Sequence, residues 1–372
     1  MNLENIDLLI GGAGTVGCVA AERAATQLGW RCLVVERRGN IGGNCYDYLD
    51  ENGLLVHKYG PHYFQTNDLE VVKYLSKFTA WIPAEYSRAI SYNNRLYSFP
   101  LNLQTLREFY HQPTLSVDDA RLLLDSVKEH YPEPKNFEEY ALSVVGRELY
   151  EAFFFGITLK QWGDHPLELP PDIWGDLETG IFEKLQGAKF SLMPADGYSK
   201  MFEKMLDNPL ISVELNTDFR EIKSMVNPSK ATLYTGPIDE YFNNMHGKLA
   251  WRSLEFKSDI FDTEFKQPCT EIIYPEQEEY IRSVESKHVT RQKHPKTAVI
   301  YEYPKSYGEP FYPVRTAESI ALYEQYRVLA KHETFINNVY FAGRQAEYSS
   351  ISTDNSLTRG LEIFEEMRNN LK

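Results

Sequence analysis

The chain has 372 residues, 42% apolar and 25% charged, with a formal net charge of −14. That length calls for more than one core, in an ordinary globular protein. The acidity excludes nucleic acid as a partner, because no contiguous basic surface is available to neutralise phosphates. No apolar run approaches the ~18 residues of a membrane span.

In chain order, residues 6–10 read as a short buried strand that runs into "GGAGTVG". The polar lead before it has no basic segment of the secretory kind, so a cytoplasmic location is expected. Residues 18–28 have the pattern of an alanine-rich helix, and 31–36, "RCLVVE", that of a second buried strand. Alternating stretches at 88–99 and between 249 and 303 read as separated pieces of one antiparallel sheet. Between them, "SVDDARLLLDSVKEHY" opens on Ser116, which can cap a helix, and "NFEEYALSVVGRELYEAFFFGIT" reads as one or two more helices. The C-terminal part returns to a strand, "NVYFAG", and a helix, "DNSLTRGLEIFEEMRNNL". Cys18, Cys32, Cys45 and Cys269 have no metal-ligand or disulfide spacing and are expected as reduced thiols; no metal site is expected.

The strand–turn–helix–strand unit carries the strongest chemical signal. Gly12, Gly14 and Gly17 fit the GxGxxG turn, which brings backbone amides and a helix N-terminus to a pyrophosphate. Glu36 follows Gly14 by 22 residues, where a carboxylate can bind a ribose hydroxyl. A second glycine pair, Gly42 and Gly43, stands six residues beyond Glu36, and "AGR" at 342–344 ends a strand ahead of a helix. Both favour FAD over a nicotinamide dinucleotide.

The motifs "GGNCYD", "HKYGPHYFQTND", "LKQWGDHPLELP", "MPADGYSKMFEKML", "WRSLEF", "YIRSVESKH", "EPFYPV" and "AGRQAEY" occur in that order along nearly the whole chain. In these the chain resembles the UDP-galactopyranose mutases, which interconvert pyranose and furanose forms of a nucleotide sugar. The resemblance implies an α/β fold with a Rossmann-like FAD-binding domain in three segments (1–78, 190–245 and 318–372). It further implies a helical domain at 101–189 with a mobile loop at 171–189, and a six-stranded antiparallel sheet domain from 79–100 and 246–317.

It also implies a mechanism in which the reduced flavin N5 attacks the anomeric carbon and forms an adduct, with NAD(P)H or another external reductant keeping FAD reduced. Such a protein needs no nucleophilic side chain. On the resemblance, Arg37, Asn44, Tyr59, His62, Phe219, Gly236, Gly343, Arg344 and Thr353 join Gly12, Gly14, Gly17, Glu36 and Gly43 around FAD. His62 and Arg282 are the catalytic candidates, and Trp162, Arg252, Arg282, Tyr312 and Tyr348 the substrate contacts. The partners implied are a sugar, nucleotide-linked, and a second copy in a homodimer.

The chain departs from the family pattern on the substrate side. Asp176 and Gly180 stand where the family loop has arginines, Ile157 where a tyrosine stacks on uracil, Gln65 for a second histidine, and Ser350 and Ser352 for a tyrosine and an aspartate. Lys184 and Lys189 are candidate replacement cations. An altered substrate is therefore expected. Two other readings stay open at this point: an FAD-dependent oxidoreductase on a sugar-like substrate, and a flavin-binding protein without turnover.

Overall fold

The computed structural model describes residues 4–175, 177 and 188–370. Asp176, Gly180, Lys184 and most of the segment expected as a mobile loop lie outside the described residues. The chain divides into two compact units, each assembled from separated segments.

The first unit comprises residues 1–84, 189–250 and 319–372. Its centre is a five-stranded sheet, in which Cys32–Val35, Leu8–Gly11 and Ala231–Tyr234 lie between the edge strands Ile211–Glu214 and Val339–Phe341. All four pairings are parallel. The three inner strands are four residues each and buried throughout, which is why they read as unbroken apolar runs. Helix Thr15–Leu28 follows the first strand and ends at Gly29, whose left-handed φ of 66° lets its N–H reach the carbonyls of Ala24 and Ala25. Helix Thr353–Asn370 packs on it closely: a Cβ at Gly360 would stand 2.7 Å from Cβ of Val19. Two small antiparallel sheets complete the unit, Phe64–Thr66 with Phe190–Pro194 and Trp81–Pro83, and the hairpin of Asp47–Leu49 with Leu55–His57.

The second unit comprises residues 85–188 and 251–318. Its sheet runs in the order Tyr312–Pro313, Trp251–Phe261, Thr297–Lys305, Arg282–Val284, Glu271–Ile273, Arg88–Tyr92, Arg95–Phe99. The sheet thus has seven strands, one more than the resemblance implies, and it is not wholly antiparallel. Glu271–Ile273 pairs parallel with Arg88–Tyr92. The other neighbours are antiparallel. At the exception the partners come from chain segments far apart in sequence, so no hairpin fixes their relative direction.

The helical part of this unit is punctuated as its sequence suggests. Ser116 caps Val117–Val127 through the N–H of Asp119, and Asn136 caps Phe137–Val145 through that of Glu139. After Gly146 a short helical turn, Arg147–Leu149, leads through π-helical Tyr150–Phe155 into Gly156–Trp162. Phe137, Leu149, Phe153 and Trp162 share a core with Ile90 and Leu106. No helix among the described residues is long and apolar enough to cross a membrane.

Candidate functional site

In the first unit the ends of the parallel strands open into a cleft of about 1090 Å³, mouth included. Gly14 caps helix Thr15–Leu28 with no side-chain hydrogen bond, so the first-turn amides are left for an external acceptor. A Cβ on Gly14 would meet only Cα of Gly43, 4.0 Å away, and would otherwise enter the cleft. A Cβ on Gly17 would stand 2.0 Å from the Gly12 carbonyl oxygen, so that glycine serves close packing and lies behind the cleft wall. The second glycine pair is tied to the turn by the Gly42 N–H, which donates to the Ala13 carbonyl at 2.7 Å.

Glu36 is buried and accepts from the backbone N–H of Ala13 at 2.9 Å and of Arg38 at 2.8 Å. One bond to each oxygen leaves both with lone pairs for a ribose hydroxyl. Arg37, Gly43, Asn44, His62, Phe219, Gly236, Gly343, Arg344 and Thr353 also line the cleft, with Gly12, Gly14 and Glu36. Tyr59 stands outside the lining, its hydroxyl donating to Asn40 and its ring beneath the Arg38 guanidinium. Ser352 is a cleft residue of the first unit, at the start of the C-terminal helix, with its hydroxyl donating to Asp354. Its neighbour Ser350 is exposed.

His62 has a definite protonation state. Desolvation, and then the Arg344 guanidinium, lower its imidazolium to about 3. The ring is neutral at neutral pH, and because Nδ1 faces the Gly60 carbonyl at 3.1 Å the proton sits there, leaving Nε2 as an acceptor. Cys45, also in the cleft wall, is pushed up to about 12 by burial and is no thiolate nucleophile.

In the second unit, strand alternation places the charged candidates on one sheet face. Arg282 lies directly opposite Glu302, and Glu271 directly opposite Arg88. The Arg282 Nε is 2.9 Å from a Glu302 oxygen and its terminal nitrogen 3.6 Å from Glu271. Tyr86 donates its hydroxyl to the second Glu271 oxygen. Burial alone would lower the Arg282 guanidinium, but the two carboxylates outweigh it and hold it well above its ordinary value. The carboxylates themselves diverge. Burial pushes Glu302 up to about 7 against the pull of Arg282, with Glu271 adding repulsion. For Glu271, Arg282, Arg88 and the Tyr86 hydroxyl outweigh burial and lower it. Neither glutamate is a sequence-level candidate. The one available signal was a charged residue set in the apolar strands "TEIIY" and "VIYEY".

Arg252 and Tyr312 pair with each other at the sheet's edge. Arg252 donates from Nε to the Gln161 carbonyl at 2.8 Å and from a terminal nitrogen to that of Lys160 at 3.4 Å, so it caps the last turn of Gly156–Trp162. Trp162 is 4% exposed, edge-on to Trp174 and Tyr312 with centroids 6.1 and 6.2 Å away. Ile157 is buried on the same helix. Tyr348 belongs to the first unit, fully buried, with φ of 45° and its hydroxyl donated to the Ala250 carbonyl. Gln65 bonds Ser191 across two strands, and Lys189 is exposed over the ring of Phe190.

The fold and the cleft define a dinucleotide-binding enzyme of the Rossmann-like, flavoprotein type. A model described as an NAD(P)-binding Rossmann-like domain matches residues 10–78, and one described as UDP-galactopyranose mutase matches residues 152–349. A Klebsiella pneumoniae protein described as a probable UDP-galactopyranose mutase is 34% identical, over 98% of this chain and 95% of its own length. An Escherichia coli dTDP-fucopyranose mutase is 31% identical over 95% of this chain and 96% of its own. The crystal structure of a reduced UDP-galactopyranose mutase shares the fold, with a TM-score of 0.76 at 16% identity, covering 98% of this chain and 96% of that one. The chain belongs to the UDP-galactopyranose mutase family and is an enzyme of its flavin-dependent isomerase class.

Proposed function

We propose that the protein is an FAD-dependent mutase that interconverts pyranose and furanose forms of a nucleoside-diphosphate sugar other than UDP-galactose. The observation that carries the reading is full-length similarity to mutases named for two different nucleotide sugars. Departures on the substrate side, such as buried Ile157, favour a changed sugar or base. The glycine-walled cleft, with uncapped helix amides and Glu36, suits FAD, whose pyrophosphate would take the open space at Gly14. When bound and reduced by NAD(P)H or another donor, FAD would supply the nucleophile for the anomeric carbon.

The chain's own residues then bind and orient. Arg282 is a fixed cation for a diphosphate that departs and returns. Neutral His62 offers an acceptor at Nε2 and has no labile proton to give at neutral pH. Trp162, Arg252, Tyr312 and Tyr348 complete the substrate assignment by family analogy. So do a homodimer, testable by light scattering, and a cytoplasmic location.

The test is product analysis under anaerobic conditions, with flavin reduced and a panel that includes UDP-galactopyranose and dTDP-fucopyranose. A furanose product without consumption of reductant per turnover is the expected result. Stoichiometric oxidation or reduction of the flavin by substrate would instead make the protein an oxidoreductase. Efficient turnover of UDP-galactopyranose would overturn the changed substrate alone.

A further inference from the structure

We propose that Arg88 is a second diphosphate-binding cation on the sheet face that carries Arg282. The inference rests on the sugar-nucleotide reading above and names a residue of its site that neither the motifs nor the family pattern mark.

The two arginines differ in how their charge is met. Arg282 stands between Glu302 and Glu271 and is paired with both. Arg88, opposite Glu271 in the register, is stabilised by that carboxylate and by Tyr86, and has its guanidinium carbon 4.5 Å above the Tyr86 ring. Its Nε–H is buried and has no hydrogen-bond partner among the described residues. A buried donor on a permanent cation is costly to leave unmet, and such groups in native proteins are met by ordered water, an ion or a ligand when the protein itself does not meet them. Glu271 does not fill the need: its oxygens are turned to Arg282 and to the Tyr86 hydroxyl.

The chemistry of the missing partner follows from the surroundings. Arg88 and Arg282 repel one another, and Glu271 is the single carboxylate acting on both. A monovalent anion would satisfy one guanidinium and leave the other as it stands. A diphosphate carries several oxygens and enough charge for two planar forks, and arginine is the side chain suited to it. Stacking on Tyr86 fixes the plane of the Arg88 fork, which lowers the entropy lost on binding.

The experiment is calorimetric titration of the oxidised, FAD-loaded protein with UDP, dTDP and inorganic pyrophosphate, for wild type, Arg88→Met and Arg88→Lys. Arg88→Met is expected to weaken UDP or dTDP, and pyrophosphate, by about 10- to 100-fold. Arg88→Lys should keep most of the affinity. Because removing one cation leaves Glu271 less compensated, the double variant Arg88→Met/Glu271→Gln is measured alongside with melting and flavin content as controls. It too should lose diphosphate binding. Wild-type affinity in either Met-containing variant would make Arg88 a structural residue and overturn the proposal. Wild-type binding of pyrophosphate but of neither nucleotide would reject the nucleotide-sugar reading while leaving the cation pair intact. No binding of any of the three by wild type would reject both.

Discussion

In the function proposed above, the two units meet phosphate in opposite ways. The cleft of the first unit uses absence: no side chain at Gly12, Gly14 or Gly43, no capping group on the first helix turn, and backbone amides left open. The face of the second unit uses excess, with Arg88, Arg282, Glu271 and Glu302 held together in a sheet. A backbone device depends on the shape of one loop and tolerates almost no added atom. A side-chain device depends on charge balance and can be rewritten by substitution without changing the fold.

The largest effect expected from this contrast lies at Gly17. Its Cβ would fall 2.0 Å from a backbone oxygen, so Gly17→Val should leave no folded cleft and no yellow protein. Gly14→Ala is the sharper probe, because the added methyl meets open space. It should fold with near-native melting yet lose FAD affinity by tenfold or more, read as flavin released per protein on dilution. Equal behaviour of the two variants would break the distinction between a packing glycine and a ligand-facing one.

Next in size is Arg282. Arg282→Lys keeps a charge but cannot reproduce the planar fork between two carboxylates. FAD content should be unchanged and turnover should fall by roughly 10²-fold, the scale for loss of one electrostatic stabiliser. Unchanged turnover would remove this arginine from the mechanism.

These two predictions also show what was legible in the sequence. The glycine turn of the cleft is local: strand, turn, helix and Glu36 lie within one short stretch and leave a pattern that can be read without a structure. Phe219, Gly236, Gly343, Arg344 and Thr353 come from distant segments and were assigned to the cleft only through the family resemblance. Of the cleft's expected residues only Gly17 and Tyr59 fall outside the lining. The charged face is not local. Arg88 and Glu271 are neighbours through a parallel pairing that no hairpin announces, and Glu302 meets Arg282 through strand register. Sequence alone marked Arg282 through its motif, and gave no reason to connect it to the other three. Arg252 and Tyr348 show the converse: a motif position can be matched while its polar atoms are spent on backbone carbonyls.

The charge-based device should answer to pH, and the two carboxylates in opposite directions. Glu302 is raised to about 7, so the folded state holds a proton that the unfolded chain releases near its ordinary value of 4.5. Fewer protons bound by the unfolded state means stability falls as pH rises from 4.5 to about 7, by on the order of 3 kcal/mol at most. Glu271 is lowered, so its contribution is present above 4.5 and is lost as pH falls through its folded value. The difference in stability between wild type and Glu302→Gln, read from denaturant melts, should carry that decline between pH 5 and 7, with the opposing rise from His62 common to both proteins. A Gln variant with the wild-type profile would assign that decline to other groups. His62 adds a check from the first unit. Its folded value of about 3 lies below the unfolded 6.5, so its contribution is full above 6.5 and is lost as pH falls toward 3.

The smallest effect expected is at Trp174, where the segment of altered sequence leaves the helical core. Its indole Nε1 donates to the Thr158 hydroxyl at 2.8 Å, and Thr158 is fully buried. The ring also stands edge-on to Trp162. Trp174→Phe keeps an aromatic ring against Trp162 and removes the donor, so the loss is mainly one buried hydrogen bond, about 1 kcal/mol. For a body of this size that lowers the melting temperature by about 2–4 °C. Flavin content should not change, since no atom of the first unit's cleft takes part. Trp174→Ala should cost more, because the aromatic contact goes with the donor and a cavity replaces it. If Phe and Ala were equally mild, the hydrogen bond and the ring contact would both be dispensable. The start of the 171–189 segment would then be held by other contacts, such as the Leu177 N–H that donates to the Tyr140 hydroxyl at 3.2 Å.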